Sequence, residues 1–385
     1  MAALEDCTQF LSALPGIDGG DLYFQRSASR SLSYSDGKVE EVSSSSSAGC
    51  SARLLRGRSS AFAVVSGVER GGAARALVEA ARIASVEGGK VPAMNFPIDR
   101  VRAFFPENVD FFGETDRCLR AECGWIRQLT LSCSANARRY VVVSPEGSHA
   151  GEAERCSFAA EVIVERNGRL ESGYDAFSMS GDAREFFRKL SAKNVARRAL
   201  QEALVNLEAV ECPTGAMPVL LSDEAGGTIV HEACGHGMEA DLVFEEQSSF
   251  AGKIGRQVAA EDVTVVDDAS LPGLYGSFAC DDEGTPSRRT VLIERGILKN
   301  YLTDKRCARL YGLPLTGSGR RSSYASLPMP RMSNTFVAEG SSEQGEMIQS
   351  VSRGIFVCRM GGGEVNTTTG EFVFDVTQGY LIEDG

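Results

Sequence analysis

The sequence predicts an α+β protein in which N-terminal and central α+β units, residues 1–95 and 112–212, precede a β-rich C-terminal domain, residues 216–385. Three observations support this division. Runs of alternating apolar and polar residues, typical of half-buried strands, outnumber the helical patterns. Asp-Gly and Asn-Gly pairs interrupt several of these runs, as hairpin turns require. A Cys-Pro-Thr-Gly sequence at Cys212–Gly215 separates the second unit from the third.

The first unit begins with a helical pattern over Leu4–Leu14 and closes with a second one over Ala73–Ser85. Between them, Asp36-Gly37 predicts a hairpin turn, and Gly57 separates two further strands. The second helix is expected to end at Gly88-Gly89. The predicted strands are 21–27, 30–42, 50–57 and 59–67.

The central unit repeats this plan in architecture, without a repeat at the level of residues. Helical patterns cover Thr115–Leu129 and Asp182–Val210, and the second carries an apolar stripe typical of a helix that faces a core. Two strand patterns, 135–147 and 156–177, lie between these helices. Asn167-Gly168 predicts a hairpin turn within the second strand pattern.

The third segment predicts a β-rich domain with one functional helix near its start. A buried strand over 217–222 leads into this helix, and Arg295-Gly296 predicts a hairpin turn further on. A Gly- and Ser-rich stretch, 313–334, is too long for a simple connector and indicates a functional loop. The further predicted strands are 262–268, 289–302, 354–360 and 370–385.

The composition disfavours several classes of protein. The chain of 385 residues has 40 Lys and Arg against 52 Asp and Glu, a net charge of −12, which argues against nucleic-acid and anionic-membrane partners. No stretch approaches the roughly 20 apolar residues of a membrane helix, and the acidic start does not resemble a signal peptide. These features predict a cytoplasmic protein whose 11 cysteines are reduced.

The strongest chemical signal is the hexapeptide His231-Glu232-Ala233-Cys234-Gly235-His236, which contains two of only 3 histidines. Paired imidazoles on one helix are typical zinc ligands, and a glutamate directly after the first can act as general base. We therefore predict His231 and His236 as metal ligands and Glu232 as the catalytic residue. The alternative is a helix whose histidines only form hydrogen bonds within a core. Cys234 is predicted to pack rather than to bind metal.

The spacing of the two histidines predicts a distorted helix. Residues five positions apart on an ideal helix point about 140° apart, whereas the familiar zinc-peptidase helix spaces its histidines by four. A π-bulge, or unwinding at Gly235 and Gly237, would bring both rings to one metal ion at low cost. We therefore expect a local distortion inside the motif.

Several other positions have both a functional and a structural interpretation, or a structural one alone. Asp281–Glu283 either shape a metal or substrate site or form a solvated acidic turn. Arg320-Arg321 and Tyr324 either stabilise an oxyanion or lie on the surface in salt bridges. His149 is predicted in a solvated loop. Gly361–Gly363 predict a close approach of two backbones, which would suit an extended substrate added to a sheet edge.

These residues resemble the TldD/PmbA family of zinc metalloproteases. The segment HEACGHGMEAD is similar to the family's HExxxH motif, and further similar blocks extend through most of the chain. The resemblance implies zinc bound by His231 and His236, catalysis by Glu232, and hydrolysis of unfolded or leader peptides. It also implies a TldD-type catalytic subunit that pairs with a PmbA-type partner lacking the metal ligands. The other similar blocks are DDEGTPSR, GILKNYLTDKRCA, TGSGRRSSYASLPMPRMSN, GGGEVNTTTGEFVFDVTQGYLIEDG and YSDGKVEEVSSSSSAGCSARLLRG.

One departure from the family concerns the third zinc ligand. The family's third ligand is a cysteine in a segment after the strand that corresponds to GYLIEDG, and this sequence stops at Gly385. We therefore expect a C-terminally incomplete domain. Its two-histidine site would bind zinc weakly or borrow a ligand from Cys358, Cys280, Asp281 or Asp282.

The sequence as a whole predicts a zinc-dependent metallopeptidase that hydrolyses unfolded or leader peptides through HExxxH, as a homodimer or with a PmbA-type partner. A second class stays open: a non-catalytic peptide-binding or assembly subunit of a TldD/PmbA-like complex, disabled by the missing ligand. The metal content of the protein separates these two. Direct action on DNA is disfavoured by the net charge of −12. The sequence identifies no substrate-binding residue.

Overall fold

In a computed structural model, the fold of the protein is α+β, as the sequence predicts. The structure describes residues 2–69, 71–86, 91–92 and 96–385. The helix end predicted at Gly88-Gly89 lies outside the described residues. Within the described ranges, no helix is both long enough and apolar enough to cross a membrane. The 11 cysteines are free thiols in this structure.

Residues of both N-terminal units form one antiparallel sheet of six strands. In chain order these are β1 (Gly19–Ser35), β2 (Lys38–Arg56), β3 (Ser59–Ser66), β4 (Ile126–Ser144), β5 (Gly147–Arg166) and β6 (Arg169–Ser180). Their order across the sheet is β3-β2-β1-β4-β5-β6. Asp36-Gly37 and Asn167-Gly168 have positive φ between paired strands, which confirms both predicted hairpin turns.

Pairing of β1 with β4 joins the two predicted units. The register runs from Leu22 opposite Val143 to Ser35 opposite Thr130. One continuous sheet therefore contains strands from both predicted units, residues 1–95 and 112–212. The domain boundaries themselves stay a prediction.

Alternate side chains of β1 are buried on opposite faces of this sheet. Leu22, Phe24 and Leu32 pack in clusters with helices of the N-terminal half. Asp21 and Tyr23 point to the other face, where they contact residues of the C-terminal region. A polar residue such as Asp21 must therefore find its partners inside the protein rather than in water.

Five helices pack on the first face of the sheet: α1 (Ala2–Ser12), α2 (Gly72–Ile83), α3 (Asp110–Glu122), α4 (Ala183–Lys189) and α5 (Ala192–Leu207). Two predicted helices need correction. The helix predicted over Thr115–Leu129 ends at Glu122, because residues from Ile126 onward pair with β5 as strand β4. The helix predicted over Asp182–Val210 is interrupted at Leu190, whose extended backbone separates α4 from α5.

The C-terminal region contains three smaller sheets, which confirms the predicted β-rich segment. One consists of β8 (Val265–Asp268), β9 (Arg289–Glu294), β10 (Ile297–Leu298) and β13 (Thr335–Val337), in the order β10-β9-β8-β13. In a second, β14 (Arg353–Asn366) lies between β15 (Glu371–Glu383) and the parallel β7 (Val219–Leu221). The third pairs β11 (Gly319–Arg320) with β12 (Met329–Pro330).

The helices of this region are short. Three of them follow one another before the first long connection: α6 (Asp223–Ile229), a π-helical turn (Val230–Gly235) and a 3₁₀ turn (His236–Met238). The others are α7 (Ala240–Phe244), α8 (Lys305–Tyr311) and α9 (Gln344–Gln349). Met238, Leu292, Leu298 and Leu302 form the centre of the core beneath them.

Within the described residues, strand β15 lies at the edge of its sheet and is largely exposed. On the neighbouring β14, a Cβ on Gly363 would overlap the ring of Phe374, so an aromatic side chain approaches this glycine rather than the second backbone that was predicted. The large apolar side chains that β15 exposes, over 46% to 67% of their surface, are Phe372, Val373, Val376, Tyr380 and Leu381.

A network of buried ion pairs connects the C-terminal region to the second face of the six-stranded sheet. Arg53 on β2 lies 2.5 Å from both Asp21 and Glu283. Arg138 on β4 lies 2.9 Å from Asp282. These opposite charges pair with one another, which compensates for their removal from water.

Asp281 belongs to the same buried loop but has backbone partners. Its carboxylate accepts hydrogen bonds from the N–H groups of Glu283, Thr285 and Gly319. Burial and the nearby Glu283 raise the pKa of Asp281 to about 7. The solvated acidic turn considered for Asp281–Glu283 is therefore wrong, because these residues are buried between the C-terminal region and the six-stranded sheet.

Candidate metal centre

The two histidines of the motif lie on the π-helical turn. The preceding α6 is capped by Ser222, whose hydroxyl accepts a hydrogen bond from the N–H of Ala225. Further on, the N–H of His236 donates to the carbonyl of His231, five residues earlier. This bond is the pattern of a π-helix and confirms the distortion predicted from the histidine spacing.

Gly235 and Gly237 allow other side chains to approach the backbone of this turn. An ideal Cβ on Gly235 would overlap the sulfur of Met332, and one on Gly237 would lie 2.8 Å from the ring of Phe250. The φ of Gly235 is −57°, an ordinary helical value. The fold thus requires glycine at position 235 because there is no space for a side chain, and not because the backbone adopts an unusual conformation.

His231, Glu232 and His236 converge at one place. Within the described residues, they are the one group of three His, Cys, Asp or Glu side chains whose potential ligand atoms lie within 4.8 Å of one another. The imidazole centroids are 5.0 Å apart, and the rings are nearly perpendicular. Nε2 of His236 lies 3.8 Å from a carboxylate oxygen of Glu232, and these two side chains are 32% and 29% exposed. The cluster is therefore accessible from solvent.

The two histidines have different electrostatic surroundings. Partial burial and the neighbouring His236 lower the pKa of His231. Glu239, whose carboxylate lies 3.4 Å from Nδ1 of His236, raises the pKa of that imidazole. His231 therefore keeps the neutral form that a metal ligand needs down to a lower pH than His236 does.

Sequence reasoning missed Glu239, which lies beside His236, and Arg331, which pairs with Glu239. Glu239 is fully buried, and its carboxylate lies 2.9 Å from Nη1 of Arg331. Glu239 follows His236 by three residues, so a helical spacing was available as a signal. Arg331 lies 92 positions from Glu239, and no local pattern indicates this contact.

The residues considered as a third ligand lie outside the cluster. Cys358, Cys280, Asp281 and Asp282 do not join the two histidines within the part of the chain that the structure describes. Asp282 instead pairs with Arg138. Cys234, on the turn itself, packs against the core of the C-terminal region, as predicted.

The remaining predicted site residues have structural partners. His149 lies in β5 rather than in a solvated loop, because the strand pairing with β4 continues to Gly147. Arg321 is buried and pairs with Asp21, and Arg320 lies over the ring of Phe278. Tyr324 packs against Gly49 on β2. The salt bridge considered for Arg321 is therefore present, but its predicted surface position is wrong because the residue is buried.

Comparisons with known proteins agree with this fold. Residues 214–385 match a family model described as the PmbA/TldA metallopeptidase C-terminal domain, and residues 20–85 match PmbA/TldA metallopeptidase domain 1. The metalloprotease TldD homolog of Haemophilus influenzae is 37% identical over 96% of this chain and 80% of its own length. Metalloprotease MJ0996 of Methanocaldococcus jannaschii is 31% identical over 96% of this chain and 84% of its own.

A solved structure shows the same fold at lower identity. The crystal structure of TldE from Thermococcus kodakarensis is 20% identical and superposes with a TM-score of 0.77, over 99% of this chain and 88% of that one. An α+β protein with a His-Glu-His cluster on a distorted helical turn is a candidate metal-dependent hydrolase. The chain belongs to the PmbA/TldD family of metallopeptidases, as the resemblance predicted.

Proposed function

We propose that this protein is a zinc-dependent metallopeptidase that cleaves unfolded or leader peptides at the cluster of His231, Glu232 and His236. The observation that carries the proposal is the convergence of two imidazoles and a carboxylate, within 4.8 Å, on one distorted helical turn. The names of relatives support it: one, from Saccharolobus solfataricus, is called a zinc metalloprotease TldD homolog.

The donor atoms of the cluster fit zinc better than magnesium or calcium. Imidazole nitrogens are common zinc ligands, whereas the harder magnesium and calcium ions prefer oxygen. His231 and His236 would hold the ion. When bound, zinc supplies Lewis acidity that lowers the pKa of water and polarises a carbonyl group.

In the proposed hydrolysis, Glu232 moves a proton. Its carboxylate lies 3.8 Å from Nε2 of His236 and is partly exposed, so water and substrate can reach it. We assign two steps to it: removal of a proton from the attacking water and delivery of that proton to the leaving amine. An amide group at this position could do neither.

An edge strand beside the turn offers a place for an extended peptide. Within the described residues, β13 lies at the edge of the four-stranded sheet and contacts the π-helical turn. Main-chain hydrogen bonds at a sheet edge bind extended segments largely through their backbone. This favours unfolded or leader peptides as substrates. The proposal also includes a cytoplasmic location and assembly with a PmbA-type partner or a second copy of the chain.

Metal analysis and two variants test the proposal. The purified protein is expected to contain about one zinc ion per chain. His231→Ala removes one of the two imidazole ligands and is therefore expected to lose the zinc. Glu232→Gln is expected to retain zinc while peptide hydrolysis falls by about 10²- to 10⁴-fold. If hydrolysis survives in zinc-loaded Glu232→Gln, Glu232 is not the base.

A non-catalytic peptide-binding subunit is the second candidate function. The observation in its favour is that the cluster holds two histidines and one carboxylate, without a cysteine among the described residues. Catalytic zinc sites usually have three protein ligands in addition to a base. A zinc-free protein that still binds extended peptides would establish this alternative.

A further inference from the structure

The carboxylate of Glu239 lies on the Nδ1 side of His236, opposite Glu232. The proposed hydrolysis gives this carboxylate no role. Oε2 of Glu239 is 3.4 Å from Nδ1 of His236, whereas Nε2 of the same ring faces Glu232 at 3.8 Å. Glu239 is 0% exposed, and its Oε1 has no hydrogen-bond partner among the described residues. A buried carboxylate is costly unless it is compensated, so this position requires an explanation.

The main chain on both sides of Glu239 is fixed to a neighbouring segment. The N–H of Ala240 donates to the carbonyl of Leu302, and the N–H of Leu302 donates to the carbonyl of Met238. All three of these residues are fully buried. The backbone on either side of Glu239 is thus tied to Leu302 by two buried hydrogen bonds.

Arg331 fixes the side chain of Glu239. Its Nη1 lies 2.9 Å from Oε2 of Glu239 and 3.5 Å from the carboxylate of Asp241. The backbone N–H of Arg331 donates to the carbonyl of Ser318, which anchors the arginine in turn. The guanidinium compensates the buried charge and leaves the carboxylate directed at His236.

We infer that Glu239 is a positioning residue that accepts a hydrogen bond from Nδ1–H of His236 and thereby presents Nε2 to the metal. The inference rests on the zinc site proposed above. A histidine that binds metal through one nitrogen almost always donates with the other, and a carboxylate acceptor fixes the tautomer and orientation of the ring. Arg331 supports this arrangement by holding the acceptor.

The tautomer of His236 provides a direct test that needs no activity assay. Because the chain has 3 histidines, their side-chain nitrogens are resolvable by NMR in protein labelled with ¹⁵N-histidine, with His231→Ala as an aid to assignment. In the zinc-free parent at alkaline pH, His236 is expected as the Nδ1–H tautomer. Glu239→Ala is expected to give a mixture of tautomers, and Glu239→Gln, which keeps an acceptor oxygen, to retain more of the Nδ1–H form.

Zinc affinity provides a second test. Glu239→Ala is expected to raise the Kd for zinc by about 10- to 100-fold, the usual effect of losing such a partner, and Glu239→Gln to raise it less. Asp241→Asn is the matched control, because Asp241 also lies near Arg331 but pairs with neither histidine within the described ranges. Its zinc affinity is expected to equal that of the parent.

The parent protein is measured first, so that two failures can be told apart. A parent that binds no zinc overturns the proposed function. A parent that binds zinc, with Glu239→Ala binding it equally tightly or showing the same His236 tautomer, overturns this inference alone. If Glu239→Ala does not fold, Glu239→Gln and Arg331→Met replace it. An unchanged tautomer and an unchanged affinity in both of these overturn the inference as well.

Discussion

At the scale of single residues, Gly235 has less room for a side chain than Gly237, the other glycine beside His236. The sulfur of Met332 occupies the space that a Cβ on Gly235 would need. Met332 is itself buried and directly follows Arg331, which holds Glu239. The contact between Gly235 and Met332 therefore ties the histidine turn to the segment behind it.

Gly235→Ala is expected to lower the free energy of unfolding by about 1–3 kcal/mol, the usual cost of overpacking a core, and to weaken zinc binding. Gly227→Ala is the matched control, since an ideal Cβ on Gly227 in α6 meets no atom within 4 Å. There, alanine is expected to stabilise the helix by up to about 1 kcal/mol. Urea unfolding measures both variants, and equal stabilities would contradict the packing argument.

A second residue-scale prediction concerns pH. Burial and the neighbouring Glu283 raise the pKa of Asp304 to about 6 in the folded protein. The folded state therefore binds this proton more tightly than the unfolded chain does. The corresponding stabilisation is complete below about pH 4 and is lost as the pH rises through about 6.

Asp304→Asn removes the titrating group but keeps the cap of α8, because the Asp304 carboxylate accepts from the N–H of Cys307 and asparagine can do the same. The stability of the variant relative to the parent is expected to rise by about 1–3 kcal/mol between pH 4 and 7 and then to level off. Unfolding curves across this range are the measurement. A constant difference between the two proteins would show that Asp304 does not titrate there.

At the scale of elements, the loop of Asp281–Glu283 is a buried, charged part of the contact between the C-terminal region and the six-stranded sheet. Arg53 pairs there with Asp21 and Glu283 without access to water. The pairs are no proof of high net stability, because desolvation offsets much of the attraction. Removing one partner is different, since it leaves the others charged and buried.

Arg53→Met is therefore expected to lower the free energy of unfolding by about 3–5 kcal/mol. The exposed pair of Arg82 with Glu79 on α2 offers a control, and Arg82→Met is expected to cost less than about 1 kcal/mol. Denaturant titration of both variants checks the contrast. Similar losses of unfolding free energy in the two variants would mean that burial does not increase the cost of breaking the Arg53 ion pairs.

At the scale of the whole molecule, the sequence was informative where structure is local. Asp36-Gly37 and the five-residue spacing of the histidines are local patterns, so the hairpin and the π-helical turn were predictable. Pairing of β1 with β4, and of Arg53 with Glu283 across 230 positions, depends on the complete fold. The burial of Asp281–Glu283 is not predictable for the same reason, because it depends on arginines that no neighbouring residue indicates.

The open edge at β15 also has a consequence for how the protein behaves in bulk solution. Its exposed apolar side chains, such as Val373, favour association between molecules. Glu371, Asp375 and the net charge of −12 oppose association by electrostatic repulsion. Salt shortens the range of that repulsion from about 30 Å at 0.01 M to about 3 Å at 1 M. Colloidal stability should therefore fall as ionic strength rises.

Light scattering at low and high sodium chloride is expected to show a mean mass that grows with salt. Val373→Glu is expected to suppress this growth, because it places a charge in the middle of the apolar surface. A mass independent of salt would mean that the strand does not govern attraction between molecules. The expected result would mean that the net charge of −12 counteracts association through the exposed face of β15.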